Sequence, residues 1–266
     1  MDRNVRIPRP AVAAAALFAL VGALLLTVVA TPARAAEAPA SAASAASAAE
    51  PTRIMALGDS ITGSPGCWRA LLWQDMQAAG YTDVDFVGSR TPDGCGFPYD
   101  GEHEGHGGIL ATGIVRDNLL PGWMASADPD VVMMTLGTND VWSGLPTATV
   151  LDAYTTLVGQ MRAANPDVRV LVAQILPMNP SGCGDCGTRV VELNAAIPGW
   201  AAALSTAESP LTVVDLWTGF DTAVDTTDGV HPNDAGIRKM ADTWFPALTG
   251  VLDTLPPTTA SSARPA

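Results

Sequence analysis

The sequence predicts a three-layer α/β/α sandwich built on a five-stranded parallel sheet. Three observations carry that prediction. Short, almost continuously apolar runs alternate with segments of helical periodicity, as strands buried on both faces and the helices covering them require. Polar turns containing glycine follow four of the five runs. Between two low-complexity ends lie about 200 residues, enough for one domain with a substantial core.

The five runs are Arg53–Leu57, Val84–Val87, Val131–Leu136, Arg169–Ile175 and Leu211–Leu216, rich in Val, Ile, Leu and Met. Helices are expected at Trp68–Ala79, Ile114–Met124, Thr149–Asn165, Thr188–Leu204 and Asn233–Leu252, where apolar residues recur near helical spacing. Asn165-Pro166 stops the third, and Pro198 is a candidate kink in the fourth. Strand–helix alternation implies right-handed crossovers. Ligands of such sheets bind at the carboxyl ends of the strands.

The ends read differently. Arg3, Arg6 and Arg9 precede an apolar run from Ala11 to Ala30, and Ala33-Arg34-Ala35 has the small-x-small form of a cleavage site. Residues 1–35 therefore read as an export signal peptide. The apolar run is also long enough for a retained membrane anchor, but the cleavage site favours removal. Removal takes away four Arg and one Asp, moving the formal charge from −13 to −16. Residues 36–50 form an Ala/Ser-rich linker, residues 51–255 the domain, and residues 256–266 a flexible tail.

Hydrophobic residues at 48% against 15% charged exclude a disordered, collagen-like or coiled-coil chain. A charge of −13 argues against nucleic acid as a partner and against attraction to anionic lipid. Four cysteines fit two bridges in an oxidising compartment. They allow three connectivities, and proximity along the chain favours Cys67–Cys95 with Cys183–Cys186. Cys183-Gly184-Asp185-Cys186 also has the spacing of a thiol–disulfide motif or half a zinc site, yet no second pair at zinc spacing accompanies it.

Candidate chemistry sits in the turns. Ser60 follows the first run in Gly58-Asp59-Ser60-Ile61-Thr62, which taken alone is an ordinary strand-to-helix turn. After the last run, Asp228-Gly229-Val230-His231-Pro232-Asn233 puts an Asp and a His three apart just before a helix. An imidazole there can take a proton from Ser60 while a carboxylate fixes its tautomer. Gly137-Thr138-Asn139-Asp140 follows the third run, and an Asn amide at that edge can donate to an oxyanion. His103-Glu104-Gly105-His106-Gly107-Gly108 supplies a further loop with exposed backbone N–H groups. Each turn alone is weak; the ordered set supplies nucleophile, base, orienter and oxyanion donors.

This set resembles the GDSL/SGNH hydrolase superfamily, with Ser60, Gly108, Asn139 and His231 at the four marker positions. Ile61 stands where the name-giving motif has Leu, and Gly107 adjoins Gly108. The resemblance implies a flavodoxin-like fold and no metal or organic cofactor. It also implies a catalytic Ser60–His231–Asp228 triad, with Ser60, Gly108 and Asn139 forming the oxyanion hole. The stretch from Gly58 to Arg69, with the Glu104–Gly108 loop, is similar to secreted carbohydrate esterases that deacetylate xylan. The expectation is a secreted, extracellular serine esterase acting as a monomer on short acyl esters, foremost the O-acetyl groups of a polysaccharide such as xylan. Once the leader is removed, no stable membrane association is expected. The alternatives are a lipase or phospholipase of the same superfamily and a non-catalytic glycan-binding module.

Two further features have competing readings. Trp142 lies beside the Asn139 turn, where an indole can stack on a sugar ring or simply pack. His103, Glu104 and His106 suggest metal ligands, but a glycine-rich loop is a poor scaffold for them, which leaves His106 as a neighbour of the oxyanion loop.

Overall fold

The computed structural model describes residues 50–255, apart from 65 and 93. The expected signal peptide, the linker up to residue 49 and the tail 256–266 lie outside the described residues. β1 (Thr52–Gly58), the one-turn α1 (Ser60–Gly63), α2 (Trp68–Ala79) and β2 (Val84–Phe86) come first. Then follow the two-residue β3 (Glu104–Gly105), α3 (Ala111–Arg116), α4 (Leu120–Ala127), β4 (Val131–Thr135) and α5 (Thr138–Trp142). After them come α6 (Thr147–Ala164), β5 (Arg169–Gln174), α7 (Cys186–Leu204), β6 (Leu211–Asp215), α8 (Thr222–Asp225) and α9 (Asp234–Leu252).

All strand pairs are parallel, in the order β2-β1-β4-β5-β6. The sheet has six strands rather than the expected five, because β3 pairs with Leu57 and Gly58 of β1. β2 pairs with Thr52–Ile54 of the same strand, so β2 and β3 share one flank of β1. A strand of two residues carries no periodicity, which is why the sequence hides it.

β1, β4 and β5 are buried along nearly their whole length, as apolar strands covered on both faces should be. β6 is an edge strand and alternates instead, with Leu211 and Val214 buried but Thr212 and Asp215 exposed. On one face α2 packs against α9, where the rings of Trp68 and Trp244 stack 5.8 Å apart. On the other, α6 packs against α3, α4 and α7.

The helix expected at Ile114–Met124 is in fact two, α3 and α4. Asn118 between them takes a left-handed conformation (φ 48°), which Asn tolerates better than most residues. Pro121 then opens α4, where its missing N–H costs nothing. α6 ends at Ala164 before Asn165-Pro166, and α7 continues through Pro198. Asn233 caps α9 by accepting the N–H groups of Ala235 and Gly236 at 3.0 and 3.1 Å.

Strand order reverses at β1, with β2 on one side and β4 on the other. Such a switch point opens a crevice at the carboxyl ends of the two strands between which the order changes. Ser60 follows β1 and Asn139 follows β4, so both lie at that crevice.

Candidate active site

Ser60 is the first residue of α1, immediately beyond β1. Asp59 caps that turn, its Oδ1 accepting the Ile61 N–H at 2.9 Å. This Asp is wholly buried, and burial raises its carboxyl from the ordinary 3.8 to about 6.

The Ser60 hydroxyl lies 2.9 Å from His231 Nε2, and His231 Nδ1 lies 2.7 Å from Asp228 Oδ2. An ionised carboxylate only accepts, so Nδ1–H donates to it and Nε2 faces the hydroxyl as acceptor. Asp228 Oδ1 accepts the backbone N–H of Val230 at 3.0 Å and of His231 at 2.8 Å. Partial burial pulls the Asp228 carboxyl up. The His231 N–H, the imidazole and the Val230 N–H outweigh that and hold it below its ordinary value. In a hydroxyl, imidazole and carboxylate chained this way, the imidazole can take the serine proton while the carboxylate stabilises the imidazolium that forms.

The 106–109 segment lies against this chain. Ile109 N–H donates to His106 O at 3.2 Å, closing a turn with Gly107 and Gly108 at its centre. Gly108 has φ +75°, the conformation that favours glycine at the third position of a type II turn. A β-carbon on Gly107 would lie 4.0 Å from Ser60 Cβ, so the turn runs directly past the hydroxyl. Close approach is also enforced beneath it, where a β-carbon on Gly105 would come within 2.5 Å of Gly63 N. Asn139 Nδ2 donates one hydrogen to Ile109 O at 2.9 Å, which leaves its second hydrogen for another acceptor.

A shallow cleft runs along this edge, lined by Ser60, Ile61, Ser64, Trp68, His231 and Pro232 among others. Trp142 closes α5, one turn after Asn139, and is 45% exposed. Its ring stands beside Gly182, 3.6 Å from where a β-carbon there would sit. Cys183–Cys186 is a disulfide in this same loop, and Asn179 N–H donates to Gly229 O at 2.8 Å. The loop after β5 thus links the Trp142 rim to the Asp228–His231 turn. Cys67–Cys95 is the second disulfide, tying the start of α2 to the loop after β2.

The structure therefore brings Ser60, Gly108, Asn139, Asp228 and His231 to one edge, with Trp142 on its rim. Trp68, by contrast, is buried and stacked in the core. Three contributions escape the sequence. Asp140 is fully buried, accepting Ala111 N–H at 2.8 Å and Thr112 N–H and hydroxyl at 3.1 and 2.7 Å. It thereby fastens α5 to the start of α3. Glu104 and Trp123 hold His106, whose Nε2 lies 2.5 Å from Glu104 Oε1 and whose ring stacks on Trp123. His103 is buried as well, its Nδ1 accepting Gly105 N–H at 3.0 Å. These partners lie too far away in sequence for spacing to reveal, except the local Glu104–His106 and His103–Gly105 pairs.

A parallel α/β/α sandwich with a serine–imidazole–carboxylate chain at its switch point defines an acyl-transferring hydrolase class. The chain belongs to the GDSL-like lipase/acylhydrolase family, whose model matches residues 56–239. It is similar to a multidomain esterase of Ruminococcus flavefaciens, 29% identical over 228 residues. That match covers 75% of this chain but only 29% of the relative. A carbohydrate esterase family 3 structure from Talaromyces cellulolyticus is 36% identical with a TM-score of 0.71, covering 77% of this chain and all (100%) of the other. A mutant acetyl esterase solved with an acetate ion is 36% identical with a TM-score of 0.70, covering 76% and 98%.

Proposed function

We propose that this protein is a secreted serine esterase that removes acetyl and other short acyl groups from a polysaccharide such as xylan. The observation that carries this reading is the hydrogen-bonded chain from Ser60 through His231 to Asp228, beside the 106–109 turn. The similarity to a family 3 carbohydrate esterase and to an acetyl esterase holding acetate supports the acyl group and the substrate class.

In this mechanism Ser60 Oγ attacks the ester carbonyl carbon while its proton passes to His231 Nε2. The carbonyl electron pair moves onto oxygen, which the N–H groups of Ser60 and Gly108 and the free amide hydrogen of Asn139 receive. Asp228 holds the resulting imidazolium. Collapse expels the sugar oxygen, which takes the proton from His231. Water then repeats the steps on the acyl-enzyme, releasing acetate and restoring the serine hydroxyl. Trp142 serves as a stacking platform for a sugar ring next to the acetylated one. Export through residues 1–35 agrees with two disulfides within the domain.

The test is hydrolysis of p-nitrophenyl esters from acetate to palmitate, with Ser60→Ala as the blank. Rates that collapse beyond butyrate, with activity on acetylated xylan, are expected. Rates that rise with acyl length would replace this reading with a lipase. Failure of a fluorophosphonate to label Ser60 would remove the catalytic reading altogether. Trp142→Ala should keep p-nitrophenyl acetate activity within about twofold while raising the KM for acetylated xylan, since stacking on a sugar is worth about 1 kcal/mol.

A further inference from the structure

The turn that carries Gly108 is held from outside the hydrogen-bonded chain of the nucleophile. Glu104 is buried, 1% exposed at its side chain, yet fully engaged. It accepts Ser89 N–H at 2.8 Å, Ser89 Oγ–H at 2.7 Å and His106 Nε2–H at 2.5 Å. Its backbone lies in β3, paired with β1 one residue before Gly58. The His106 ring stacks on Trp123 of α4, with centroids 4.6 Å apart and planes 11° from parallel. The His106 backbone is fixed as well: its N–H donates to Gly58 O at 3.0 Å, and its O accepts Ile109 N–H to close the turn.

We propose that His106, clamped between the buried Glu104 carboxylate and the face of Trp123, is a positioning residue that sets where the Gly108 N–H points. Glycine at 107 and 108 gives that turn the conformation it needs but no side chain with which to hold it. An anchored first residue supplies the rigidity instead, because an oxyanion donor must be in place before charge develops. His106 is held by a carboxylate bond on its ring edge and an indole on its ring face, so neither tilt nor slide is free. Ser60 and the Ser60–His231 bond do not depend on this clamp, since they are held by α1 and the 228–231 turn.

The inference rests on Ser60 as nucleophile and Gly108 as oxyanion donor, and the experiment separates the two. Wild type, His106→Ala, His106→Gln and Trp123→Leu are titrated with a fluorophosphonate, and kcat and KM are taken per titrated site on p-nitrophenyl acetate. The Ki of a boronic acid, whose tetrahedral adduct places an oxygen in the oxyanion position, is read alongside. His106→Ala is expected to lower kcat about 10- to 100-fold with KM within about threefold, below the 10²–10³-fold loss of an entire oxyanion donor. Boronate Ki should rise in proportion. His106→Gln, which keeps a donor for Glu104, should recover part of the loss. Trp123→Leu should lose activity with the bond to Glu104 intact, and it decides the matter if the alanine variant does not fold. Unchanged kcat per site and unchanged Ki in the folded variants would overturn the clamp. Absence of labelling in wild type would overturn the underlying reading instead.

Discussion

At the scale of single residues, exposure decides how much each member of the hydrogen-bonded chain is worth. Ser60→Ala is expected to remove at least about 10⁴-fold of kcat on p-nitrophenyl acetate, because nothing else at the site can form the acyl bond. A buried orienting carboxylate is worth about 10⁴-fold. Asp228 has a side chain 52% exposed, so water shares its role. Asp228→Asn is therefore expected to cost less, about 10²- to 10³-fold, in the same assay. Two buried groups nearby govern pH dependence with opposite signs. Asp59, raised by burial to about 6 from 3.8, binds its proton more tightly folded than unfolded. Its contribution to stability is present below pH 4 and is lost as pH rises through 6, by on the order of 3 kcal/mol. His103, lowered by burial and by Arg69 to about 4 from 6.5, resists protonation when folded. Its contribution is present above pH 6.5 and is lost as pH falls toward 4. The two slopes oppose each other between pH 4 and 6. Asp59→Asn should melt higher than wild type at pH 7.5 and lose stability on acidification. His103→Asn, whose carbonyl can still accept Gly105 N–H, should lose stability as pH rises. Thermal unfolding at pH 4, 5, 6 and 7.5 checks both, and parallel curves for all three proteins would refute the assignment.

Among elements, loops and one-turn helices matter more than the long helices, because they hold the groups that face the cleft. Cys67–Cys95 closes a segment with a sequence separation of 28. The loop-entropy relation gives such a bridge about 3–4 kcal/mol, against about 2 for the four-residue Cys183–Cys186 loop. A Cys67→Ser/Cys95→Ser double variant is expected to melt well below one lacking only the second bridge, as read by calorimetry. The second variant should lose only about half as much stability but be weaker on polymer, since its loop backs Trp142. Equal melting points would contradict the first expectation. Legibility follows the same division. β1, β4 and β5 were readable because burial on both faces demands unbroken apolar runs. α2, α6, α7 and α9 were readable because each buries one stripe. α1, α5 and α8 are single turns, shorter than any helical period can register. The break at Asn118 depends on one residue's backbone conformation, which no apolar pattern encodes. Ser60, Asn139, Asp228 and His231 could be singled out as candidates because polar, glycine-bearing turns, weak one by one, follow the buried strands in an order that supplies complementary groups. Glu104, Asp140 and Trp123 were not, because what matters about them is a partner on another element.

For the whole molecule, the net charge, −13 over the full chain and more negative once residues 1–35 are removed, bears on how a polymer approaches. If the substrate is a xylan carrying uronic acid groups, like charges repel and association slows. Raising ionic strength from 10 to 150 mM shortens the screening length from about 30 to about 8 Å. Deacetylation of an acidic xylan should therefore quicken with salt, while hydrolysis of neutral p-nitrophenyl acetate should not. Equal salt responses, measured by acetate release, would argue that the charge lies away from the cleft. The fold also imposes an order on its own assembly. Ser60 and His231 meet although 171 positions separate them in sequence, from opposite ends of the domain. Contacts of that separation are entropically the most demanding to close. During refolding from denaturant, helical circular dichroism can recover before the two ends dock, but neither the Trp68–Trp244 stack nor hydrolysis can. Turnover is thus a late reporter, and a nascent chain acquires it only after His231 and α9 have left the ribosome.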